Sequence, residues 1–392
     1  MSAENAHHPG AAAEPTGEGI TYASAGVDTA AGDRAVELMK AAVAATHGPT
    51  VMGGIGAFAG LVDVSALKDY ERPLLASSTD GVGTKIAIAR ALDVHDTIGQ
   101  DLVAMVVDDI VVVGARPLAM TDYIACGSVV PERIADIVRG IAEGCQRAQC
   151  PLVGGETAEH PGLMAPEDYD VAGAAVGVVE AEAMLGAHRV RAGDVVIGWD
   201  ASGLHSNGYS LVRAVVERSG LALTDHVEEL GRTLGEELLE PTRIYAGDVV
   251  ALLDDPQAGP ALHALSHVTG GGLAANLARV VPAEVAVRVD RSTWTPQPIF
   301  DLVRRWGSVP QKDLEGTLNM GLGMVAVVAA DGAEAVLARC AERGLGARVI
   351  GEVLPADGLP EASGEGLEYV VRGAKGVEGG AVMMTGQYPG WA

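Results

Sequence analysis

The chain has 392 residues, more than one hydrophobic core usually organises, so its length predicts two domains. Hydrophobic residues make up 48% of it and charged residues 20%, a balance that excludes wholesale disorder. Its 52 acidic and 27 basic side chains give a formal charge of −25, which opposes binding to nucleic acid or to an anionic membrane surface.

The first part of the chain predicts a first domain of helices and strands over residues 20–180. Residues 1–19, rich in Ala, Gly, Pro and Glu, offer no periodic apolar face and predict a disordered arm. The elements predicted next are a helix at 33–46, a Gly-rich loop at 53–60, a strand at 73–79, a turn at 80–85, helices at 86–92 and 101–117, a strand at 119–127, a helix at 131–147, and strands at 151–155 and 170–179.

The segment 101–117 is ambiguous, because its β-branched residues favour a strand whereas its length favours a helix. We choose the helix, which puts Asp101 and Asp108 on one face.

The composition turns polar at residues 180–193, and a second, mixed α/β domain is predicted over residues 194–354. It opens with the strand DVVIGWD, the loop ASGLHSNG and the helix YSLVRAVVERSG. Further helices are predicted at 241–254, 270–280 and 331–343, and strands near 262–267, 284–289, 323–330 and 347–353. Residues 355–392 form a Gly-rich tail for which we predict no structure.

Cysteine usage and hydropathy bear on the compartment. Four cysteines at irregular spacing are too few for a disulfide framework in a chain of this length, which indicates a reducing compartment. No apolar run is long enough to span a bilayer, and the polar start has no apolar core of a signal peptide. We therefore expect a cytoplasmic protein with neither a membrane nor a nucleic-acid partner.

The segment SSTDGVGTK at residues 77–85 is the most informative one for chemistry. A predicted strand ends at Asp80 and runs into Gly81, Gly83, Thr84 and Lys85. Glycines let backbone N–H groups approach a phosphate, a lysine can supply a cationic donor, and an aspartate at a strand end can hold Mg²⁺. The alternative is a plain β-turn with a solvated lysine.

Two adjacent aspartates, Asp108 and Asp109, lie inside an otherwise apolar stretch. A buried carboxylate is costly unless it meets a cation or hydrogen-bond donors, and a metal ion would supply the cation. Asp101 on the same predicted helical face strengthens this interpretation, because nucleotide-bound Mg²⁺ draws on one or two carboxylates. The alternative is that one aspartate simply faces solvent.

Three more polar, glycine-containing loops fall at the ends of predicted strands. They are GGIGAF at 53–58, VGGETAEHPG at 153–162 and SGLHSNGYS at 202–210. Glu156 in the second is a candidate for a metal or a ribose hydroxyl, and Ser206 and Asn207 in the third precede a helix whose N-terminus can hold a phosphate. For Ser206 and Asn207 taken alone, ordinary helix capping is the favoured explanation. The run HVTGGG at 267–272 is a loop of the same kind.

Ten segments, taken in order, resemble the phosphoribosylformylglycinamidine cyclo-ligase (aminoimidazole ribonucleotide synthetase) family over roughly residues 20–354. They are GVD at 26–28, MGGIGAF at 52–58, STDGVGTK at 78–85, HDTIGQDLVAM at 95–105, GARPL at 114–118, LVGGETAE at 152–159, DYDVAGAAVGVVE at 168–180, HSNGYSLVR at 205–213, PTRIY at 241–245 and TGGG at 269–272. Each is weak alone, but their order and spacing together are specific.

The resemblance implies an enzyme that converts formylglycinamidine ribonucleotide to aminoimidazole ribonucleotide with ATP and Mg²⁺. It implies a homodimer of two-domain subunits in which the sheet of the N-terminal α+β domain helps to form the dimer. By motif matching, the implied metal ligands are Asp80 and Asp109, with Asp101 and Glu156 behind them, and the implied catalytic residues are Lys85, Asp80 and Asp109. The implied ATP-binding residues are Gly53, Gly54, Gly56, Gly81, Gly83, Thr84, Lys85 and Lys40, and the implied substrate-binding residues are His205, Ser206, Asn207, Gly155, Glu156 and Thr157.

Rival members of the wider superfamily are selenophosphate synthetase, a hydrogenase-maturation enzyme and thiamine-monophosphate kinase. The first two usually carry a reactive cysteine near the start or at the end of the chain, whereas the first cysteine here is Cys126 and the chain ends in PGWA. The kinase lacks the HSNGYSLVR and GGETAE context. From another class, a catalytically silent nucleotide-binding protein is disfavoured by the intact STDGVGTK and GGETAE loops.

Overall fold

The computed structural model describes residues 26–359 and 368–391, and the predicted arm at 1–19 lies outside them. Within the described residues the chain builds two main sheets, one of four strands and one of seven. The prediction of an α+β first domain followed by a mixed α/β second domain is confirmed. Among these residues we find no helix that combines the length and the apolar character needed to cross a bilayer.

The first domain is a four-stranded sheet with helices on one face. Its elements are α1 (Thr29–Ala44), β1 (Val51–Met52), β2 (Leu61–Val62), β3 (Pro73–Gly81), α2 (Ile86–Leu92), α3 (Ile98–Val111), β4 (Arg116–Cys126), α4 (Pro131–Ala148), β5 (Leu152–Glu159) and β6 (Tyr169–Glu180). The strand order is β3-β6-β4-β5, and only the β4–β5 pair is parallel. The helices and strands predicted for this part are present.

Helix α3 is buried on nearly all sides and forms the centre of the first domain. It is a helix as predicted, but it ends at Val111 instead of continuing to residue 117. Gly114 adopts a φ of +79°, and β4 begins two residues later. A Cβ added to Gly99 would lie 2.2 Å from the backbone nitrogen of Ile141, so glycine allows α3 and α4 to pack at close range.

No helix of the described residues covers the other face of this sheet, which we call the open sheet face. It exposes Leu75 to 68% and Tyr123 to 42%. Tyr123 pairs with Glu156 across β4 and β5, so Glu156 shares the open sheet face. Asp80 pairs with Gly173 on β6 and belongs to the opposite, helix-covered face.

The second domain contains the seven-stranded sheet. Its elements are β7 (Val195–Asp200), α5 (Tyr209–Ser219), β8 (His226–Val227), β9 (Arg232–Thr233), α6 (Leu234–Leu238), α7 (Ala246–Leu253), α8 (Ala258–Ala261), β10 (Leu262–His267), α9 (Gly272–Ala278), β11 (Val285–Asp290), α10 (Pro298–Gly307), α11 (Gln311–Glu315), β12 (Leu322–Val328), α12 (Ala333–Glu342), β13 (Ala347–Pro355), β14 (Tyr369–Ala374) and β15 (Val377–Thr385). The strand order is β10-β12-β7-β13-β11-β15-β14.

Several parts of the second domain differ from the predicted elements, and the short elements β8, β9, α6 and α8 were not predicted. Helices α10 and α11 lie where no element was predicted, although Pro298 marks the first turn of α10. The helix predicted at 241–254 begins only at Ala246. Residues 241–245 instead form an irregular segment that lies across α3, because their backbone N–H groups donate to aspartates of that helix.

The tail, for which no structure was predicted, adds two strands to the second sheet. Strand β15 pairs with β11 in parallel and with β14 in antiparallel orientation. Beyond it, the buried ring of Tyr388 contacts Trp294 edge-on, with 5.2 Å between centroids, and Trp391 at 4.9 Å. Residues 368–391 therefore complete the sheet and core of the second domain, and a boundary at residue 354 leaves out two of its strands.

Candidate active site

An open acidic cluster lies where the first domain meets the second. Asp80 is at the end of β3, Asp109 is on the last turn of α3, and His267 ends β10. The buried His267 donates from Nδ1 to Asp109 Oδ1 at 2.9 Å, while the Asp109 side chain stays 42% exposed. The cluster thus presents two solvent-accessible carboxylates beside a buried imidazole that joins the domains.

The charges of this cluster act on one another. Partial burial raises the pKa of Asp80, and the nearby negative charge of Asp109 adds to the rise; the N–H of Gly81, at 2.7 Å from Asp80 Oδ1, and the charge of His267 oppose it. Burial alone would lower the pKa of His267, but its hydrogen bond to Asp109 and the surrounding carboxylates outweigh burial and raise it. The cluster therefore has an excess of negative charge that a cation would relieve.

Lys85 and Asp101 form a buried ion pair instead of lining an open site. Both side chains have no exposed area. Lys85 Nζ donates to Asp101 Oδ1 at 2.9 Å and to the backbone carbonyls of His205 at 3.0 Å and Glu240 at 2.7 Å, so three protein acceptors surround the ammonium. Burial lowers the pKa of Lys85 and raises that of Asp101, and their mutual attraction opposes both shifts. The geometry does not support the expectations that Lys85 reaches nucleotide phosphates and that Asp101 binds a metal ion.

Two aspartates of α3 hold the segment 241–245 of the second domain. Asp101 Oδ1 accepts from the backbone N–H of Thr242 at 2.8 Å and from its hydroxyl at 2.5 Å. The buried Asp108 accepts from the backbone N–H of Tyr245 at 3.0 Å. Burial raises the pKa of Asp108 to about 7. Asp101 and Asp108 thus share a helical face as predicted, but that face contacts the second domain.

The loop between β7 and α5 carries three predicted substrate ligands, and two of them are bound to the protein. Ser206 Oγ donates to the carbonyl of Val82 at 2.7 Å. His205 is buried with a φ of +63°, and its Nε2 accepts from the backbone N–H of Ser202 at 3.2 Å. Asn207 is only partly buried, with its amide nitrogen 3.2 Å from Met105 Sδ. Of the three, Asn207 has the most freedom to contact a ligand.

The GGETAE segment lies on β5, away from the acidic cluster. Gly155 pairs with Asp122, and a Cβ there would lie 2.1 Å from Asp122 Oδ1, so the glycine makes room for that carboxylate. Glu156 is exposed on the open sheet face, opposite to Asp80, and Thr157 follows it on the same edge strand. A single chain therefore does not bring Glu156 together with Asp80 and Asp109.

The remaining predicted nucleotide-binding residues fall in two places. Gly81 ends β3, Gly83 has a φ of +74°, and the Thr84 hydroxyl lies 3.3 Å from that of Ser210 on α5. The exposed loop between β1 and β2 holds three more of them, Gly53, Gly54 and Gly56. Lys40 is on α1, where its ammonium pairs with Glu37 at 2.8 Å, and within the described ranges no contact joins it to the acidic cluster.

Sequence reasoning gave His267 no role, although the structure makes it the partner of Asp109. The available signal was its position, since HVTGGG follows a strand and precedes a helix as the other candidate loops do. Asp122 was also missed. Its signal was weaker, because only strand pairing shows that it lies against Gly155.

Asp122 predicts a pH-dependent stability. Burial raises its pKa from 3.8 to about 7. Because the folded-state pKa is raised, the native state loses stability as the pH rises from about 3.8 to 7, and this loss is complete above 7. We expect the melting temperature of Asp122→Asn to be close to that of the parent at pH 4. Toward pH 8 it should exceed the parent's melting temperature by an increasing margin. Thermal scans at pH 4 and pH 8 measure this, with the exposed substitution Asp313→Asn as the control. The same difference in melting temperature between Asp122→Asn and the parent at both pH values would contradict the prediction.

Comparison with known proteins gives consistent family matches. The AIR synthase related protein N-terminal domain matches residues 59–179, and the corresponding C-terminal domain matches residues 191–359. The phosphoribosylformylglycinamidine cyclo-ligase of Geobacillus kaustophilus (strain HTA426) is 49% identical over 344 residues, which cover 88% of this chain and 98% of that protein. The cyclo-ligase of Anaeromyxobacter sp. (strain Fw109-5) is 51% identical over 336 residues, covering 85% and 96%.

Solved structures share the fold. Thiamine-monophosphate kinase from Stenotrophomonas maltophilia K279a superposes with a TM-score of 0.60 at 22% identity, covering 81% of this chain and 93% of that one. E. coli HypE, a hydrogenase maturation protein, superposes with a TM-score of 0.57 at 19% identity, covering 81% and 89%. At such identities the likeness concerns architecture alone, whereas the two sequence relatives match along nearly their whole length.

Proposed function

We propose that this chain closes formylglycinamidine ribonucleotide to aminoimidazole ribonucleotide with ATP and Mg²⁺. The premise is that the chain belongs to the phosphoribosylformylglycinamidine cyclo-ligase family and is a ligase of purine biosynthesis. One geometric observation carries the proposal. The DGVGTK turn contacts the loop before α5, where Ser206 Oγ donates to the Val82 carbonyl at 2.7 Å, and the first turn of α5, where the Thr84 and Ser210 hydroxyls are 3.3 Å apart. Phosphoryl transfer requires such closeness between nucleotide and acceptor.

Asp80 and Asp109 are the residues that would hold Mg²⁺. Carboxylate oxygens are the ligands this hard cation prefers, and the partly buried carboxylate of Asp80 lies near the negative charge of Asp109. The part of the chain that the structure describes contains no group of three or more His, Cys, Asp or Glu arranged to hold a metal ion. That fits an ion whose remaining ligands are water and nucleotide phosphates. When bound, it would neutralise charge on the β- and γ-phosphates.

The substrate phosphate would lie at the N-terminus of α5. This helix has 11 residues, and no side chain caps its N-terminus. Leu211 and Val212 donate to the carbonyl of Gly208, which leaves the N–H groups of Tyr209 and Ser210 to donate to an anion. Asn207, two residues before it, is partly exposed and would orient the phosphate. Ser206 and His205 would act indirectly, by holding the loop in place.

The chemistry consists of two displacements. The formamide oxygen attacks the γ-phosphorus, a new P–O bond forms, and ADP leaves with the electrons of the broken bond. An amidine nitrogen then attacks the activated formyl carbon, the C–O bond breaks and phosphate leaves, while the amidine nitrogen and the former formamide nitrogen each lose a proton. The protein's task is to align the reactants and to keep water from the activated intermediate. The two contacts between the site loops support such alignment.

We further propose that a second copy of the chain covers the open sheet face. Leu75 and Tyr123 are exposed on it, and large exposed apolar side chains on a sheet favour association. Glu156 would then face the partner subunit. Light scattering in solution tests the dimer, and the mass of a single chain would exclude it.

All four cysteines are free and buried, which suits a reducing compartment such as the cytoplasm.

The test of the activity is direct. Purified protein with formylglycinamidine ribonucleotide, ATP and Mg²⁺ should form aminoimidazole ribonucleotide, ADP and phosphate in equal amounts. Thiamine monophosphate in place of the substrate should give no ADP, because the kinase shares only the fold. Absence of product while a control cyclo-ligase is active would reject the proposal, and nucleotide binding without turnover would favour a silent nucleotide-binding protein.

A further inference from the structure

A cavity of about 340 Å³ in the first domain lies outside the candidate active site. A space of this size can enclose a small organic molecule. Its walls come from α2, from the loop after α2, from the first turn of α4 and from the segment before β6. The lining residues are Ala87, Arg90, Ala91, His95, Arg133 and Glu167. None of them has a role in the proposed reaction, and two of the six carry a guanidinium group.

His95 forms a fixed wall of this cavity. Its side chain is buried, its Nδ1 lies 2.8 Å from the hydroxyl of Tyr169, and its Nε2 lies 2.9 Å from Asp93 Oδ1. Because both ring nitrogens already have protein partners, the imidazole holds the loop after α2 in place and leaves ligand binding to the arginines. The cavity is therefore preformed by the fold.

Arg133 is the side chain of this cavity that lacks partners. Its Nε is buried and has no hydrogen-bond partner in the part of the chain that the structure describes. Its Nη1 donates to the carbonyl of Glu167 over 3.4 Å, a long hydrogen bond, and no carboxylate within residues 26–359 and 368–391 forms an ion pair with it. A buried donor without an acceptor is costly, which indicates that an acceptor enters from the cavity.

Arg90 faces the same cavity from α2. Its Nη2 lies 2.5 Å from Asp168 Oδ1, and both side chains are about one-third exposed. A guanidinium has five N–H donors, so Arg90 can bind a second anion while it keeps Asp168. The exposed carboxylate of Glu167 opposes a bound anion by its charge, and it is free to turn toward solvent. Two arginines from different helices are thus available to one anion.

The register of the first sheet places this cavity relative to Asp80. Tyr169 opens β6, and Gly173, four residues further along the strand, pairs with Asp80 at the end of β3. Four strand residues span about 13 Å, so the cavity lies toward the same end of the sheet as the acidic cluster but apart from it. Helix α2, which carries Arg90, begins directly after Lys85. A ligand here would hold the helix that follows the DGVGTK turn.

We propose that this cavity is a second anion site, in which Arg90 and Arg133 together bind a phosphate group, either as the free ion or as part of a small phosphate ester. Guanidinium groups match phosphate oxygens with paired hydrogen bonds, and a protein with a formal charge of −25 can hold an anion only where cations gather locally. Ala87 and Ala91 leave room for the organic part of an ester. The inference goes beyond the proposed function and does not depend on it.

Calorimetric titration of the full chain at low ionic strength with inorganic phosphate, and separately with glycerol 3-phosphate, tests this. Arg133→Met should weaken binding in the cavity roughly tenfold, and Arg133→Lys should weaken it less, because lysine keeps the charge but not the paired donors. Glu167→Gln should tighten it by about two- to threefold, because it removes an opposing charge. The matched control is Arg147→Met, which removes an exposed arginine from the last turn of the same helix and should leave binding within about twofold of the parent.

The outcomes separate the two anion sites. Phosphate bound at the N-terminus of α5 would give a second binding event, which Arg133→Met leaves intact. In a crystal soaked with selenate, an anomalous peak between Arg90 and Arg133 is expected. Thermal scans without ligand should show that each variant is folded. Tighter binding of glycerol 3-phosphate than of inorganic phosphate identifies an ester as the ligand, and equal or weaker binding identifies the free ion.

Three results would overturn the inference: unchanged binding in Arg133→Met, equal weakening in Arg147→Met, or no selenate peak in the cavity. None of these measurements needs formylglycinamidine ribonucleotide. Cyclisation by a protein whose cavity binds no anion therefore rejects the inference and leaves the proposed reaction, whereas anion binding that depends on Arg133 in a protein without cyclisation does the reverse.

Discussion

Asp80→Asn is expected to lower kcat by roughly 100-fold or more, the effect of removing a group that stabilises charge in the transition state. The side chain keeps its shape and its hydrogen bond from Gly81, so the loss would come from the missing charge. The melting temperature should stay within about 2 °C of the parent or rise, because the substitution removes repulsion between Asp80 and Asp109. Steady-state kinetics over a range of Mg²⁺ concentrations and a thermal scan measure both effects.

Asp109→Asn should have a similar effect on turnover, and the double variant should be little worse than either single one. Two ligands of one ion act as a unit, so their effects do not add. Asp313→Asn, an exposed substitution on α11, serves as the control with unchanged kcat. Near-normal turnover of Asp80→Asn would remove Asp80 from the metal site, and fully additive losses would separate the two carboxylates.

Most elements of the first domain could be predicted because their apolar residues recur at regular intervals. Helix α4 follows its predicted bounds of 131–147 closely, since Pro131 opens it and Gln149 ends it in a left-handed conformation. The strands of the tail could not be predicted, because Gly379 and Gly380 lower strand propensity. Those glycines are explained only by the close packing of β15 against α9, which is a tertiary contact.

For the candidate site, the sequence predicted which residues matter better than it predicted the residues that they contact. The sequence indicated that aspartates in the apolar helix α3 need partners, and each has one. It could not indicate which partner, because Thr242 and Tyr245 are 141 and 137 residues from the aspartates they contact. Lys85 shows the same limit, since a lysine after a glycine turn fits a phosphate loop and a buried pair equally well.

Lys85→Met is expected to lower the free energy of unfolding by about 3–5 kcal/mol, because it leaves the buried Asp101 carboxylate without its cation. The carbonyls of His205 and Glu240 would lose a donor as well. Since these groups belong to both domains, the variant should also loosen the contact between them. Equilibrium denaturation measures the stability, and Lys40→Met, which breaks only a surface pair with Glu37, should change it by less than about 1 kcal/mol.

The double variant Lys85→Met with Asp101→Asn separates a structural pair from a phosphate ligand. Asn at position 101 keeps an oxygen that can accept a hydrogen bond from Thr242, and it removes the unpaired negative charge of the buried carboxylate. We therefore expect the double variant to recover at least half of the stability lost in Lys85→Met. A structural role also predicts an unchanged KM for ATP in the folded fraction of Lys85→Met at low temperature. If Lys85→Met kept its stability and raised the KM for ATP instead, the lysine would leave its buried pair during the reaction and bind phosphate, as its sequence context suggests.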